Sequence, residues 1–158
     1  MTGRIPMTPE GQKILMERLK YLRQVERPKN VQDIEVARDK GDLSENAEYD
    51  AAKDKQGQLD AQIKDVKNSL ALAQVIDPST INSEKITFGA TITLLDIDND
   101  EELTYSIVGS VESDIKLSKI SIDSPIARGL IGKEEGDEVR IKTPKGIRSF
   151  EVILIKYI

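Results

Sequence analysis

The chain has 158 residues, a formal net charge of −5, 32% charged residues and only 4% aromatic residues. Its length accommodates one ordinary domain or two small ones, and its acidity argues against a free-standing nucleic-acid-binding protein. The absence of Cys and His excludes disulfides, thiolate metal sites and a Ser–His–Asp triad. No apolar leader or membrane-length apolar run is present, so we expect a cytoplasmic protein without membrane contact.

The first half of the sequence has the pattern of two long helices. Thr8 is a candidate N-cap, followed by Pro9 at the first helical position. Apolar residues of the second helical run are spaced alternately by four and three, as in a coiled-coil heptad: Leu59, Ile63, Val66, Leu70 and Ala73. The pattern therefore predicts a coiled coil in this half of the chain.

The apolar positions of the two helices mirror each other, which predicts an antiparallel hairpin. The predicted facing pairs are Leu15 with Leu70, Leu19 with Val66, and Leu22 with Ile63. This register puts the fold point between Asp42 and Leu43, next to Gly41, which is a typical residue for ending a helix. Each arm of roughly 30 residues would be about 45 Å long at 1.5 Å per residue, so the hairpin is expected to project.

Two residues interrupt the predicted arms. Pro28 removes a backbone hydrogen bond and should kink the first helix. Gly57 weakens the second helix by about 1 kcal/mol relative to Ala. A tolerated irregularity and a bend with a function are both compatible with this pattern.

The second half changes to strand patterns after the turn at Asp77 and Pro78, so we predict domains at residues 1–77 and 78–158. Alternating residues predict two hairpins, with strands at 90–95, 103–108, 139–142 and 148–155. Residues 124–132 predict one short helix, capped by Ser124. The expected fold is α+β, with a helical hairpin followed by a small, mainly antiparallel sheet domain.

The predicted tip carries two acids, Asp42 and Glu45. If Ser44 caps the second helix, Glu45 lies in its first turn, where an acid stabilises the helix dipole without any further role. A functional interpretation is that the projecting arm delivers both carboxylates to a partner. Because Mg²⁺ prefers six oxygen ligands, two carboxylates would bind it only where the partner supplies the others, as in a two-metal phosphodiester site.

Several side chains near the tip are candidates to lie beside RNA. Arg38 and Lys53 could meet a phosphate, or could be ordinary solvated cations. Tyr49 could stack on a base or pack across the narrow tip, and Asn46 is a further substrate-proximal candidate. A different motif, the acidic run at 96–100, resembles the start of a calcium loop but lacks its Gly and its final Glu, so it is interpreted as a polar hairpin turn.

Two stretches of the sequence closely resemble the Gre family of transcript cleavage factors. Residues 37–49 read ARDKGDLSENAEY, and residues 124–133 read SPIARGLIGK. Matching residues at the N-terminus, including Ile5, Pro6 and Gly11, extend the resemblance over nearly the whole chain. Lys40 departs from the family pattern, in which this position is a histidine.

The resemblance implies a fold and a function. The coiled coil would enter the secondary channel of bacterial RNA polymerase that has backtracked, and the polymerase active site would then hydrolyse the extruded 3′ end of the RNA. Asp42 and Glu45 would help bind a Mg²⁺ ion shared with the polymerase, with no cofactor stably bound to the chain. The C-terminal domain would resemble FK506-binding proteins and dock on the channel rim. The chain would be a monomer and not an enzyme in its own right.

The segment implied to dock on the polymerase consists of Asp123, Ser124, Pro125 and Ile126. Ile126 could be an exposed apolar anchor or a core residue. Three rival functions are a prolyl isomerase, an inhibitory paralogue that only blocks the channel, and a helical chaperone or scaffold. The second domain has too few aromatic residues for an isomerase site, and the retained tip acids disfavour the other two.

Overall fold

The computed structural model describes residues 3–41 and 46–158. These residues form two compact units. We call residues 13–72 the hairpin unit, and residues 3–12 together with 73–158 the sheet unit. This grouping does not decide the predicted domain boundary at residue 77, which stays a prediction.

The helices lie where the apolar periodicity predicts them. Their bounds are α1 Pro9–Tyr21, α2 Arg27–Asp39 and α3 Ala47–Ala71. Thr8 caps α1 as predicted, because its Oγ1 accepts a hydrogen bond from the Gly11 N–H at 3.0 Å. After α2, Gly41 adopts a φ of 130°, a region that favours glycine, so it ends the first arm as expected.

The first arm is not a continuous α-helix. A π-helical turn, Leu22–Glu26, joins α1 to α2, and the Arg27 N–H donates to the Leu22 carbonyl. Pro28 follows directly; it has no N–H to offer the Gln24 carbonyl, and its ring would collide with that carbonyl in a regular helix. The wider turn accommodates both effects, so Pro28 disrupts the helix at the predicted place.

The seam between the arms contains residues of two of the three predicted facing pairs. Leu22, Leu59 and Ile63 form its buried cluster, with Leu19 and Val66 packed against it. The predicted pairs Leu22 with Ile63 and Leu19 with Val66 therefore share one cluster.

Towards the tip the seam becomes polar and narrow. Asn30 is only 2% exposed, and its Nδ2 donates to the Ala52 carbonyl of α3 at 2.9 Å. Ala37, one turn before the end of α2, is also buried. Small and polar residues thus replace the leucines where the two arms are about to join.

The sheet unit contains a five-stranded sheet, whose strands are β3 Thr91–Asp96, β4 Glu101–Val108, β5 Lys119–Ser121, β6 Glu138–Thr143 and β7 Gly146–Lys156. Their order across the sheet is β5-β4-β3-β7-β6. All neighbours are antiparallel except β4 and β5. The two predicted hairpins are confirmed as β3–β4 and β6–β7, whereas β5 was not predicted.

The sheet unit also contains a two-stranded sheet, which the sequence pattern does not predict. β1 (Ile5–Met7) pairs in parallel with β2 (Ala73–Val75). Each strand has only three residues, which is too short for an alternating pattern to be recognised. The pairing ties the start of the chain to the segment that follows α3.

One face of the five-stranded sheet is covered by α4 (Pro125–Leu130). The core there includes fully buried Leu94, Leu130 and Phe150. At Gly129 the helix comes so close to β6 that a Cβ would lie 2.9 Å from Ile141 Cγ1, so no larger residue fits without movement. The predicted α+β architecture is therefore confirmed.

The polar turn between β3 and β4 is held by Asp96, which is 2% exposed. Its Oδ1 accepts from the backbone N–H groups of Asp98 and Asn99, and its Oδ2 accepts from Arg148 Nη2 at 2.8 Å. The carboxylate is thus used by the turn itself, as the interpretation of a polar hairpin turn requires. Across residues 3–41 and 46–158, no helix combines the length and apolar character needed to cross a membrane.

Candidate functional site

The two predicted tip acids, Asp42 and Glu45, lie outside the described residues, as do Leu43 and Ser44. The described chain approaches them from both sides. α2 ends at Asp39 and α3 begins at Ala47, so the acids belong to the segment that connects the two arms.

Asn46 begins the second arm. It is the N-cap of α3, and its Oδ1 accepts from the Tyr49 N–H at 3.0 Å. The expectation that Ser44 caps this helix, with Glu45 in its first turn, is therefore wrong. Ser and Asn are both favourable N-caps, and the true helix start lies two residues later than expected. The acids in the first turn are Glu48 and Asp50.

The side chain of Asn46 also bonds to the other arm. Its Nδ2 donates to the Ala37 carbonyl of α2 at 2.5 Å. Both polar ends of Asn46 are therefore engaged with the backbone, although its predicted place beside RNA stays a prediction. Tyr49 is half-buried, which suits packing at the tip and leaves part of its ring accessible.

The cations near the tip lie at the surface. Lys40 Nζ is 2.9 Å from Glu48 Oε2, in a pair whose side chains are 59% and 66% exposed. Such exposed pairs contribute at most about 1 kcal/mol. Arg38 is exposed, and exposed Lys53 donates from Nζ to Gln56 Oε1 at 3.0 Å. Both cations are thus accessible to a phosphate, and their predicted role is untested.

The predicted docking segment has a rigid backbone in the sheet unit. Ser124 Oγ caps α4 by accepting from the Ala127 N–H at 3.2 Å, and Pro125 occupies the first turn. The Asp123 N–H donates to Ser121 Oγ at 3.1 Å. Asp123 and Pro125 are exposed, so this short stretch presents an accessible and well-fixed surface.

Ile126 has a different environment from its neighbours. It is half-buried and packs against the core cluster of the sheet unit. Its side chain therefore supports the core as well as reaching the surface, and Asp123 and Pro125 are the more accessible residues of the predicted docking segment.

A buried acid that sequence reasoning missed holds the first turn of α1. Glu112 is 8% exposed, and its carboxylate accepts from both the N–H (2.8 Å) and the Oγ1–H of Thr8. A Cβ on Gly11 would collide with the Glu112 carboxylate, so a larger residue at this position would have to displace that carboxylate. Thr8 and Glu112 are 104 residues apart in the sequence, and no local pattern links them.

No group of three or more acidic, His or Cys residues is arranged to hold a metal ion within residues 3–41 and 46–158. The predicted shared Mg²⁺ at Asp42 and Glu45 falls outside the described residues and stays a prediction.

Comparisons with known proteins cover the whole chain. A family profile described as "Transcription elongation factor, N-terminal" matches residues 5–75, and one described as "Transcription elongation factor, GreA/GreB, C-term" matches residues 81–157. A protein from Syntrophotalea carbinolica named Transcription elongation factor GreA is 53% identical over 157 residues, covering 99% of both chains. A protein of the same name from Vibrio cholerae is 53% identical over 156 residues, covering 98% of this chain and 99% of the relative.

Among solved structures, the GreA factor homolog 1 (Gfh1) protein of Thermus thermophilus is 25% identical, with a TM-score of 0.44. That match covers 96% of this chain and 98% of the Thermus protein.

Proposed function

Since the chain belongs to the GreA/GreB family of transcription elongation factors, we propose that it stimulates bacterial RNA polymerase to cleave backtracked RNA. In this proposal the hairpin unit enters the secondary channel of the polymerase and brings Asp42 and Glu45 to the polymerase active site. The polymerase hydrolyses the RNA near its 3′ end, and the chain assists without being an enzyme itself. Its place of action is the cytoplasm, where bacterial transcription occurs.

The observation that carries the proposal is the position of the two acids. Asp42 and Glu45 fall between the end of α2 at Asp39 and the start of α3 at Ala47, so a hairpin that enters a channel tip-first presents them first. In this proposal, two acids at the leading end of the hairpin serve chemistry in a partner's site rather than the stability of this chain.

The chemistry of the acid pair suits a shared Mg²⁺ ion. Carboxylate oxygens are hard ligands that Mg²⁺ prefers, but two of them cannot complete its six positions, so the polymerase must supply the rest. When bound, Mg²⁺ provides an activated water and stabilises the leaving oxygen in phosphodiester hydrolysis. Asp42 and Glu45 would hold the ion and accept hydrogen bonds from the attacking water, which orients it.

The remaining tip residues would position the RNA. Arg38 and Lys53 are exposed cations on opposite arms and can neutralise a phosphate. Tyr49, which is half-buried, can offer part of its ring to a base. These contacts would raise the affinity for the extruded strand, while the acids act on the reaction itself.

Docking would be a separate task of the sheet unit, through Asp123, Ser124 and Pro125 on the rim of the channel. The capped start of α4 is rigid, so little conformational entropy is lost when it binds. Half-buried Ile126 would contribute mainly by supporting this surface.

A cleavage assay tests the proposal. Purified polymerase is stalled in a backtracked complex with 3′-labelled RNA, and cleavage is followed with and without the protein. We expect faster release of short 3′ fragments with the protein present, and no RNA cleavage by the protein alone at any Mg²⁺ concentration. Unchanged cleavage rates, or RNA degradation by the isolated chain that follows the protein through chromatography, would contradict the proposal.

A further inference from the structure

The side chain of Asn46 joins the two arms of the hairpin on either side of residues 42–45. Its Nδ2 donates to the Ala37 carbonyl in α2 at 2.5 Å, and its Oδ1 accepts from the Tyr49 N–H in α3 at 3.0 Å. One side chain thus bonds to the last turn of the first arm and to the first turn of the second. We call this pair of hydrogen bonds the Asn46 bridge.

The bridge satisfies a carbonyl that the helix leaves poorly paired. In a regular helix the Ala37 carbonyl would accept from the N–H four residues later, at Gly41. Here the Gly41 N–H donates to Arg38 instead, at 3.5 Å, and among the backbone groups of residues 3–41 and 46–158 it is the Lys40 N–H that reaches Ala37, at 3.3 Å. Because Ala37 is 3% exposed, water is poorly placed to replace Asn46 as a donor.

We propose that Asn46 is a positioning residue for RNA cleavage, which fixes the two ends of the segment that carries Asp42 and Glu45. This inference rests on the proposed function. The hydrogen bond between Asn46 and Ala37 holds the two ends of this connection at a fixed separation. Catalytic groups depend steeply on placement, since an error of about 1 Å can cost about 100-fold in rate.

A second link across the tip provides a matched control. The Lys40–Glu48 pair also joins the end of the first arm to the start of the second, but its side chains are 59% and 66% exposed. An exposed pair of this kind constrains the backbone weakly. Removing it by Glu48→Gln should therefore leave cleavage near the wild-type rate.

Three variants of Asn46 separate the bridge from ordinary helix capping. Asn46→Ser keeps a good N-cap acceptor for α3 but is too short to reach Ala37. Asn46→Asp also keeps the acceptor and loses the donor, while adding a negative charge that Ser lacks. The third variant combines Asn46→Ala with Gly57→Ala; a Cβ at Gly57 meets nothing within 4 Å, so this second change strengthens α3 without touching the tip.

Each variant is assayed for cleavage at saturating concentration of the factor, and for the factor concentration that gives half-maximal cleavage. We expect the maximal rate to fall about 10- to 100-fold in all three, with the half-maximal concentration unchanged. Wild-type rates in Asn46→Ser would overturn the proposal. Recovery in the variant that also carries Gly57→Ala would overturn it too, because helix stability alone would then explain the defect.

Hydrogen exchange measured without polymerase distinguishes failure of the bridge from failure of the proposed function. In Asn46→Ser we expect the Lys40 and Gly41 amides to exchange about 10-fold faster, while the Tyr49 amide keeps its protection. Unchanged exchange at Lys40 and Gly41 would overturn the bridge whatever the cleavage assay shows. If the exchange changes as expected but the wild-type protein does not stimulate cleavage, the bridge exists and the proposed function is wrong.

Discussion

The hairpin unit and the sheet unit bury their side chains in different ways. The buried cluster of the hairpin is a narrow seam of Leu22, Leu59 and Ile63, with solvent on either side. The sheet unit has a layered core, in which α4 covers strands that contribute residues such as Leu94 and Phe150. A thin seam leaves most of the hairpin surface exposed, and in the proposed function this exposed surface faces the polymerase.

The same contrast holds for polar groups. In the sheet unit, Asp96 and Glu112 are buried acids whose oxygens are used by hydrogen bonds inside the unit. Near the tip of the hairpin, charged residues such as Arg38 and Lys53 are exposed. Substitutions of charged residues should therefore affect stability in the sheet unit and function in the hairpin.

The largest effect on stability is expected from Leu94→Ala in the sheet core. It should destabilise the sheet unit by about 4–5 kcal/mol, whereas Leu22→Ala in the seam should cost about 2–3 kcal/mol, because solvent and neighbouring side chains can close the smaller gap. Native-state hydrogen exchange reports the two units separately, which a single unfolding curve does not. If Leu94→Ala and Leu22→Ala lowered the free energy of unfolding equally, the seam and the layered core would not differ in how they respond to a lost side chain.

A smaller effect is expected from Gly11→Ala. The new Cβ would lie 2.4 Å from Glu112 Oε2, so the carboxylate must move away from Thr8. Overpacking of this kind costs about 1–3 kcal/mol.

Gly57→Ala is the matched control, since it adds a Cβ in open space and should stabilise α3 by about 1 kcal/mol. Urea denaturation of both variants gives the comparison. If Gly11→Ala were as stable as Gly57→Ala, Glu112 would not constrain the start of α1.

The smallest effect is expected in the dependence of the free energy of unfolding on pH, in the acid range. A hydrogen bond from Arg148, then one from Asn99, hold the pKa of Asp96 below its ordinary value. A lowered pKa means that the carboxylate contributes stability above its unfolded-state pKa, and that this contribution is lost as the pH falls through the folded-state pKa.

In Asp96→Asn the free energy of unfolding should therefore fall less steeply as the pH decreases below about 4, which is the ordinary pKa range of an Asp. Urea midpoints measured as a function of pH test this expectation. Arg148→Gln should flatten the profile in the same direction, because it removes the main cause of the shift. An unchanged acid slope in both variants would show that the network does not contribute to stability.

Much of this architecture is predictable because it repeats with a clear period. The heptad spacing of the leucines predicts the hairpin and the residues of its seam, and alternation predicts the strands of both hairpins in the sheet unit. Pro28 predicts where the first helix is interrupted, although its accommodation by a π-helical turn depends on neighbouring packing.

The rest depends on contacts that no local pattern records. β1 and β2 have three residues each, and Glu112 meets Thr8 across 104 positions. At the tip, Ser44 and Asn46 are both good N-caps, and only the position of the helix start decides between them. The second hydrogen bond of Asn46, to Ala37, follows from the register of the arms rather than from its own sequence neighbours.

In the proposed function, the tip acids act in catalysis while another part of the chain provides docking. The most direct test is an Asp42→Ala, Glu45→Ala double variant, measured both for RNA cleavage and for competition with labelled wild-type protein on stalled polymerase. Cleavage should fall about 100-fold or more, as when a preorganised catalytic group is removed, while the variant competes as well as the wild-type protein. Cleavage at the wild-type rate by a variant that competes normally would contradict a catalytic role of Asp42 and Glu45.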